Sequence, residues 1–360
     1  MTKRVMVAMS GGVDSSVAAL LCVEKGYEVI GATMQIWPDA ESEVMQQEGG
    51  CCSSSAVTDA RQVCAKLGIP HYVLNLKQCF ERHVVADFCR EYARGRTPNP
   101  CIVCNRVIKW EQFMIRALRV GAQYIATGHY ARIERAEDGT WLLKRAAHLD
   151  RDQSYALYSL TQEQISHTLF PVGDLAKSQV RDVAERAGLL VARKQESQDI
   201  CFVQGGDYRK FLSSRCPEAF RPGVVVDTSG RVLAEHSGVA NFTVGQRRGL
   251  GLNAGKPMYV VQIDPEKNRV VVGTYDECFS RALVATECNW IVPQPECVTL
   301  DADVKVRYRS QPARARVVRQ GPSAEVYFAK PERAVAPGQS AVFYEGDIVL
   351  GGGVIDRRLA

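Results

Sequence analysis

The sequence predicts an α/β protein: an N-terminal doubly wound parallel sheet, then a small central domain and a C-terminal β-barrel. Three observations predict it. Short apolar runs alternate with helical patterns from residue 4 to about residue 127. Gly and Pro become frequent, and helical patterns thin out, after about residue 205. From about residue 276, β-rich runs recur roughly every ten residues with turn signals between them.

The elements follow in order. Arg4–Met9 is a short apolar strand run, and Ser10-Gly11-Gly12 interrupts it. Val17–Leu21 reads as a helix ending near Gly26, and Tyr27–Met34 as a second strand. A helix over 56–67 stops at Gly68, and His71–Leu76 forms a third strand. A helix over about 106–120 precedes Tyr124–Thr127. In such a sheet, ligands bind beyond the carboxyl ends of the strands. The barrel strands are read at 283–285, 304–308, 316–318, 325–328 and 341–344. Boundaries near 205 and 275 divide the chain into 1–205, 206–275 and 276–360.

With 360 residues, 46% hydrophobic and 24% charged, the chain is globular; disordered, collagen-like and coiled-coil classes are excluded. No run reaches the roughly 18 apolar residues of a membrane span, and Val5–Met9 is too short for a signal peptide. The expectation is a cytoplasmic protein without a membrane partner. The net charge is only +5, yet residues 303–319 carry six cations (Lys305, Arg307, Arg309, Arg314, Arg316, Arg319) against Asp303 alone. That stretch is either a solvated strand face or a nucleic-acid contact. The 13 cysteines, an odd number in a long chain, do not read as a secreted disulfide framework. Most should be small buried hydrophobes, Cys22 and Cys64 among them.

Ser10-Gly11-Gly12-Val13-Asp14-Ser15-Ser16 lies between a predicted strand and a predicted helix. Glycines admit an anion close to backbone N–H groups, Ser15 and Ser16 add hydroxyl donors, and the helix end adds partial positive charge. The pattern is a phosphate cradle without the Gly-Lys-Ser/Thr of a Walker loop. Asp14 suits such a place if a cation such as Mg²⁺ stands between it and the phosphates; otherwise it is a helix cap in a Gly-rich turn. The loop resembles the PP-loop of the ATP pyrophosphatases, which implies cleavage of ATP between its α- and β-phosphates.

Cys101-Ile102-Val103-Cys104 follows Gly95-Arg96-Thr97-Pro98-Asn99-Pro100. Zinc takes about four ligands, and the nearest comparable cluster, Cys51-Cys52, is too tight for easy chelation by both thiols. A reactive thiol needs a helix N-terminus or nearby cations. Cys104 opens the helix predicted near Asn105, with Arg106 and Lys109 on its first turns, which makes it the better nucleophile of the pair. A separate thiol, Cys201, lies in Gln195–Val203.

With these motifs in view, the whole chain resembles the bacterial tRNA-specific 2-thiouridylases of the PP-loop superfamily. The matching segments are Ser10–Ser16, Cys51–Ser53, Gly95–Asn105, Ala126–Arg132, Asp152–Tyr155, Ser197–Phe202, Thr243–Gly251, Val306–Arg309 and Pro337–Gln339. Arg151 departs from the lysine expected there but keeps the charge. The resemblance implies 2-thiolation of a tRNA wobble uridine: ATP adenylates the 2-oxygen, and a cysteine persulfide supplies sulfur. By resemblance, Ala8, Met9, Ser10, Gly11, Gly12, Val13, Asp14, Ser15, Met34 and Gly128 hold ATP. Cys201 carries the persulfide, and Cys104 is the nucleophile that releases its sulfur, leaving a Cys104–Cys201 disulfide. Asn99, Pro100 and Cys101 face the target base. His129, Arg151, Asp152, Gln153, Tyr308, Arg309 and Gln339 touch tRNA, and the basic stretch, Arg307 included, meets phosphates. A cysteine desulfurase or a sulfur-relay protein is the implied donor.

Two other classes share parts of this pattern. A PP-loop enzyme that adenylates a small molecule needs neither Cys104 and Cys201 nor a basic β-rich tail. A non-catalytic RNA-binding protein switched by ATP needs no pair of motif cysteines. AMP formation that depends on tRNA separates the three.

Overall fold

The computed structural model describes residues 2–36, 54–195, 200–252 and 255–359. Cys51-Cys52-Ser53 and residues 196–199 of the Cys201 motif lie outside them. The chain divides into two compact units: Met1–Val84 with Cys101–Gly206 and Asp347–Val349, and Val85–Pro100 with Asp207–Gly346 and Leu350–Ala360.

The first unit is built on strands β1 (Arg4–Ala8), β2 (Glu28–Gln35), β3 (His71–Asn75), β4 (Tyr124–Ala126), β5 (Ala131–Arg135), β6 (Trp141–Arg145) and β7 (Thr168–Leu169). Its sheet runs β3-β2-β1-β4-β7 with every pairing parallel. The chain leaves β1 for β2 on one side and later fills β4 on the other, so the strand order switches at β1. The antiparallel hairpin β5–β6 stands apart from this sheet and pairs through Lys144 with Ile348.

The helices are α1 (Val13–Glu24), α2 (Ser54–Lys66), α3 (residues 77–93), α4 (residues 100–119), α5 (Gln162–Ser166), α6 (Lys177–Arg186) and α7 (Tyr208–Arg215). β1 is an apolar run because a central parallel strand is covered on both faces. Val5, Val7 and Met9 pack with Val17, Ala18 and Cys22 of α1, Val63 and Cys64 of α2, and Val180 and Ala184 of α6. Burial pushes the Cys22 thiol up to about 12 and the Cys64 thiol to about 11, as expected of inert core cysteines.

The second unit holds a four-stranded sheet of β8 (Gly223–Asp227), β9 (Val232–His236), β10 (Tyr259–Asp264) and β11 (Arg269–Gly273), in the order β10-β11-β8-β9. Its core is Val225, Val260, Val270 and Val272. Six longer strands follow: β12 (Phe279–Trp290), β13 (Cys297–Lys305), β14 (Ala313–Gln320), β15 (Ser323–Arg333), β16 (Ser340–Glu345) and β17 (Ile348–Leu359). They run β12-β15-β14-β13-β16-β17, and β17 pairs back onto β12, which closes a barrel and removes its edges.

The structure departs from the sequence reading in three places. The helix expected to begin near Asn105 begins at Pro100, whose fixed φ and missing N–H suit a first helical position. α3 is absent from the sequence reading, although Phe80, Val84, Phe88 and Tyr92 recur at helical spacing and are buried. β17, which the sequence reading does not include, contains Gly351-Gly352-Gly353; the glycines let strands approach closely, since a Cβ on Gly353 would lie 2.5 Å from the Cys288 Sγ.

Candidate active site

The Gly/Ser loop joins β1 to α1 at the carboxyl edge of the sheet, at its switch point. Gly11 has φ +68°, and a Cβ there would lie 2.4 Å from the Ala56 carbonyl oxygen, so only glycine fits. Gly12 is the residue before the helix and offers no side chain to cap it. The loop's hydroxyls fold inward: Ser15 Oγ and Ser16 Oγ donate to the Gly12 carbonyl at 3.0 and 2.9 Å, and Ser15 Oγ accepts from Ser10 N at 3.2 Å. The N-terminus of α1 therefore has the backbone arrangement that can receive an anion.

Gly128 follows β4 and presses on this loop. A Cβ at Gly128 would lie 2.6 Å from Ser15 N and 2.7 Å from the Asp14 carbonyl carbon. Met34, near the carboxyl end of β2, extends two residues beyond Ala32, the partner of Ala8 at the end of β1. The sheet thus brings Ala8–Ser15, Met34 and Gly128 to one edge.

Asp14 does not cap α1. Its carboxylate accepts from Lys177 Nζ at 2.7 and 2.9 Å and from the Tyr130 hydroxyl at 2.6 Å. A second lysine, Lys194, donates to the Gly11 carbonyl at 3.1 Å and to Asp59 Oδ2 at 2.5 Å. A loop with no lysine of its own is thus flanked by two from distant segments. Nothing local in the sequence marks them; the one available signal was the want of a cation beside a phosphate cradle.

Cys104 and Cys201 both belong to the first unit, half-buried, and Cys101 is exposed. Because α4 begins at Pro100, Cys101 sits in its first turn and Cys104 one turn further in, so the helix-end argument for preferring Cys104 is overturned. At Cys104 the helix widens to π-helical geometry, which continues to Phe113. Asn105, buried, anchors this point by donating to the Ala156 carbonyl at 2.9 Å. After Cys201, Phe202 is buried edge-on against Phe80 at 5.7 Å between ring centroids.

His129 lies between Thr127 Oγ1, 2.7 Å from Nδ1, and Lys109 Nζ, 3.2 Å from Nε2. An ammonium can only donate, so Nε2 accepts and the proton resides on Nδ1. Both ring nitrogens are engaged within the protein. Likewise the Asp152 carboxylate accepts from Ala146 N, Ser154 N and Ser154 Oγ, and Gln153 exchanges hydrogen bonds with the Tyr130 backbone. Of these expected tRNA contacts, Arg151 is the outward one, its side chain 40% exposed.

In the second unit, Gln339 Nε2 donates to the Thr97 carbonyl at 2.7 Å, and Thr97 N donates to Pro337 O at 2.8 Å. Arg96 is clamped by Glu91 and Asp356. The two motifs Gly95–Thr97 and Pro337–Gln339 therefore meet, which fixes the chain just before the half-buried Asn99 and the buried Pro100.

The basic stretch divides: Arg307 and Arg319 are engaged by backbone carbonyls, whereas Arg309, Arg314 and Arg316 are exposed. Arg307 Nη2 donates to the Arg333 carbonyl at 3.1 Å and its Nε is buried, so part of its guanidinium is engaged within the second unit. Arg319 donates to the Gln294 and Gly321 carbonyls. Arg314 and Arg316 pair in register with Asp303 and Asp301 on β13. Tyr308 and Arg309 remain exposed in the turn after β13.

Burial, with the Lys109 ammonium beside it, holds the His129 pKa well below its ordinary 6.5. The unfolded chain therefore binds a proton that the folded chain refuses, and stability falls as pH drops below about 6.5, by up to about 1.4 kcal/mol per pH unit for this group. His129→Gln should melt lower at neutral pH and lose less on going to about pH 5; equal losses in the two proteins would contradict the assignment.

Residues 3–205 match a family model described as the tRNA methyl transferase HUP domain, 209–274 one described as its PRC-barrel domain, and 280–355 an aminomethyltransferase beta-barrel domain. Proteins named tRNA-specific 2-thiouridylase MnmA are similar over the full length. That of Acetivibrio thermocellus is 52% identical over 98% of this chain and 99% of its own. That of Carboxydothermus hydrogenoformans is 51% identical over 99% and 98%, and that of Clostridioides difficile 46% identical over 100% and 99%. Matched end to end at this identity, and carrying its motifs where the geometry above uses them, the chain belongs to the tRNA-specific 2-thiouridylase family.

Proposed function

We propose that this protein replaces the 2-oxygen of a tRNA wobble uridine with sulfur, consuming ATP and releasing AMP and pyrophosphate. The observation that carries the reading is a backbone phosphate cradle, closed by Gly128, in the same compact unit as Cys104 and Cys201. A uridine carbonyl is a poor electrophile because oxide is a poor leaving group. Attack of the 2-oxygen on the α-phosphorus expels pyrophosphate and turns that oxygen into part of an AMP leaving group. The terminal sulfur of a Cys201 persulfide then bonds to C2, and AMP departs. Cys104 thiolate attacks the Cys201 Sγ; the persulfide S–S bond breaks, its electron pair stays on the sulfur now attached to C2, and a Cys104–Cys201 disulfide remains for an external thiol to reduce.

Mg²⁺ fits the donor set. A hard cation takes one or two carboxylates and completes its shell with phosphate oxygens and water. Asp14, at the helix N-terminus, would be its protein ligand, and the ion would neutralise phosphate charge there. Asn99, Pro100 and Cys101 face a base withdrawn from the anticodon loop, as single-stranded bases permit. Arg151, Tyr308 and Arg309 are the contacts to the rest of the tRNA. A cysteine desulfurase or a relay protein loads Cys201, and the work is cytoplasmic; among the described residues no helix is long and apolar enough to cross a membrane.

Nucleoside mass spectrometry of tRNA incubated with the protein, ATP and a persulfide donor tests the reading: 2-thiouridine is expected, and its absence with full AMP formation on a small molecule instead overturns it. Cys201→Ser should abolish thiolation and retain part of the tRNA-dependent AMP formation. Cys104→Ser should accept sulfur on Cys201 without delivering it, and Cys101→Ser should keep much of its activity. Normal 2-thiouridine yield from Cys201→Ser would defeat the relay.

The tail makes a separate prediction. Arg309→Ala should weaken tRNA binding and flatten the slope of log affinity against log salt by roughly 0.7–0.9. Arg307→Ala should leave that slope alone and lower the melting temperature, because its guanidinium holds the Arg333 carbonyl. Filter binding across salt concentrations distinguishes them; equal slope changes would restore Arg307 as a phosphate contact.

A further inference from the structure

Two cysteines of the second unit lie far apart in the chain and meet in space. Cys89 sits in the second half of α3, half-buried, and Cys216 ends α7, buried. The Cys216 thiol is hydrogen-bonded to the Cys89 side chain. Their helices are pressed together beside this contact. Phe88 lies edge-on to Phe211 at 6.3 Å between ring centroids, and Tyr92 stacks on Tyr208 at 5.2 Å. Backbone bonds hold Cys216 in place: its N–H donates to the Leu212 carbonyl at 2.8 Å, and its carbonyl accepts from Ala219 N at 3.1 Å. The pair thus differs from Cys22 and Cys64, which are buried among apolar side chains. Among the described residues no group of three or more His, Cys, Asp and Glu side chains could hold a metal ion, which leaves Cys89 and Cys216 a dithiol rather than part of a metal site.

We propose that Cys89 and Cys216 form a reversible disulfide staple, closed by a low-molecular-weight disulfide, that fastens the helix leading into Gly95–Pro100 to the end of α7. The thiolate of Cys89 attacks one sulfur of the small disulfide. That S–S bond breaks, one half leaves as a thiolate, and the other half stays on Cys89 as a mixed disulfide. Cys216 then gives up its proton and attacks the Cys89 Sγ, and the second half leaves as a thiolate. Two electrons pass from the cysteine pair to the small disulfide, and the two thiol protons end on its halves. Burial and the hydrogen bond to Cys89 push the Cys216 thiol up to about 12, so the half-buried Cys89 attacks first and Cys216 resolves. The bond replaces a contact that already exists, so the backbone around it need move little. It closes a loop of about 130 residues, and so removes much of the freedom of the unfolded chain. A reducing thiol pool keeps the pair open, and an oxidised one closes it.

The test is made on the full chain carrying Cys104→Ser and Cys201→Ser, which removes the other pair of interest. The protein is incubated with glutathione disulfide, remaining thiols are blocked with N-ethylmaleimide, and its peptides are mapped by mass spectrometry without reduction. The expected product is the Cys89 peptide joined to the Cys216 peptide, lighter by the hydrogens lost and released by dithiothreitol. The oxidised protein should melt about 5 °C or more above the reduced protein. Adding Cys89→Ser should remove both the linked peptide and the gain, and Cys216→Ser should do the same. If Cys216→Ser does not fold, Cys89→Ala carries the second comparison. Affinity for tRNA should be the same before and after oxidation, because the staple preserves the existing packing. Absence of the linked peptide overturns the proposal, as does a melting gain below about 1 °C or one that survives Cys89→Ser. So does a loss of tRNA affinity on oxidation that Cys89→Ser prevents, since the bond would then be an inhibitory lock and not a staple.

Discussion

The position of β1 between two parallel neighbours governs the first unit. Because the chain goes to β2 on one side and to β4 on the other, the loop that follows β1 is left uncovered at the carboxyl edge of the sheet. Gly128, at the end of β4, then lies where any Cβ would collide with Ser15 N, and Gly11 lies where any Cβ would collide with Ala56. These two close approaches hold the loop in one shape without side-chain caps. The backbone N–H groups of α1 are left to an anion, and the tertiary fold delivers Lys177 and Lys194 to a loop that has no cation of its own.

Charge in the barrel obeys a different logic. A strand alternates its side chains between inside and outside, so a basic strand must either face solvent or find partners across the ladder. β14 does both: Arg314 and Arg316 are exposed and stand opposite Asp303 and Asp301, while Ala315 and Val317 fill the interior. Arg307 and Arg319 spend their guanidinium groups on backbone carbonyls at the ends of neighbouring elements. Of the six cations that look like one nucleic-acid patch in the sequence, Arg309, Arg314 and Arg316 are exposed, whereas Arg307 and Arg319 are engaged by backbone carbonyls.

The motif residues sort into those that point at chemistry and those that hold such residues still. Asp152 and Gln153 tie the 146–154 segment together and pin the backbone of Tyr130, whose hydroxyl reaches Asp14. Gln339 supports Thr97 in the run-up to Asn99. His129 fixes Lys109 on the π-helical stretch that begins at Cys104. A motif match by itself assigned all of these to tRNA contact; hydrogen-bond accounting gives Asp152, Gln153, Gln339 and His129 internal partners, and leaves Arg151 as the outward cation.

By itself the sequence determined the parallel sheet, through apolar runs of strand length alternating with helical patterns, and the phosphate loop, through glycines whose backbone freedom has a local use. It also determined which cysteines are core, because Cys22 and Cys64 lie on apolar helix faces. Those signals are local, set by periodicity and turn chemistry within about a dozen residues. Only the tertiary structure decided which arginines are engaged by carbonyls and which lysines serve the loop. The lysines reach the loop from far along the chain, as with Lys177 and Asp14, separated by 163 positions. Sequence spacing carries no trace of such a pairing, because the free energy that selects it comes from burial and hydrogen bonding that exist only once the sheet has formed.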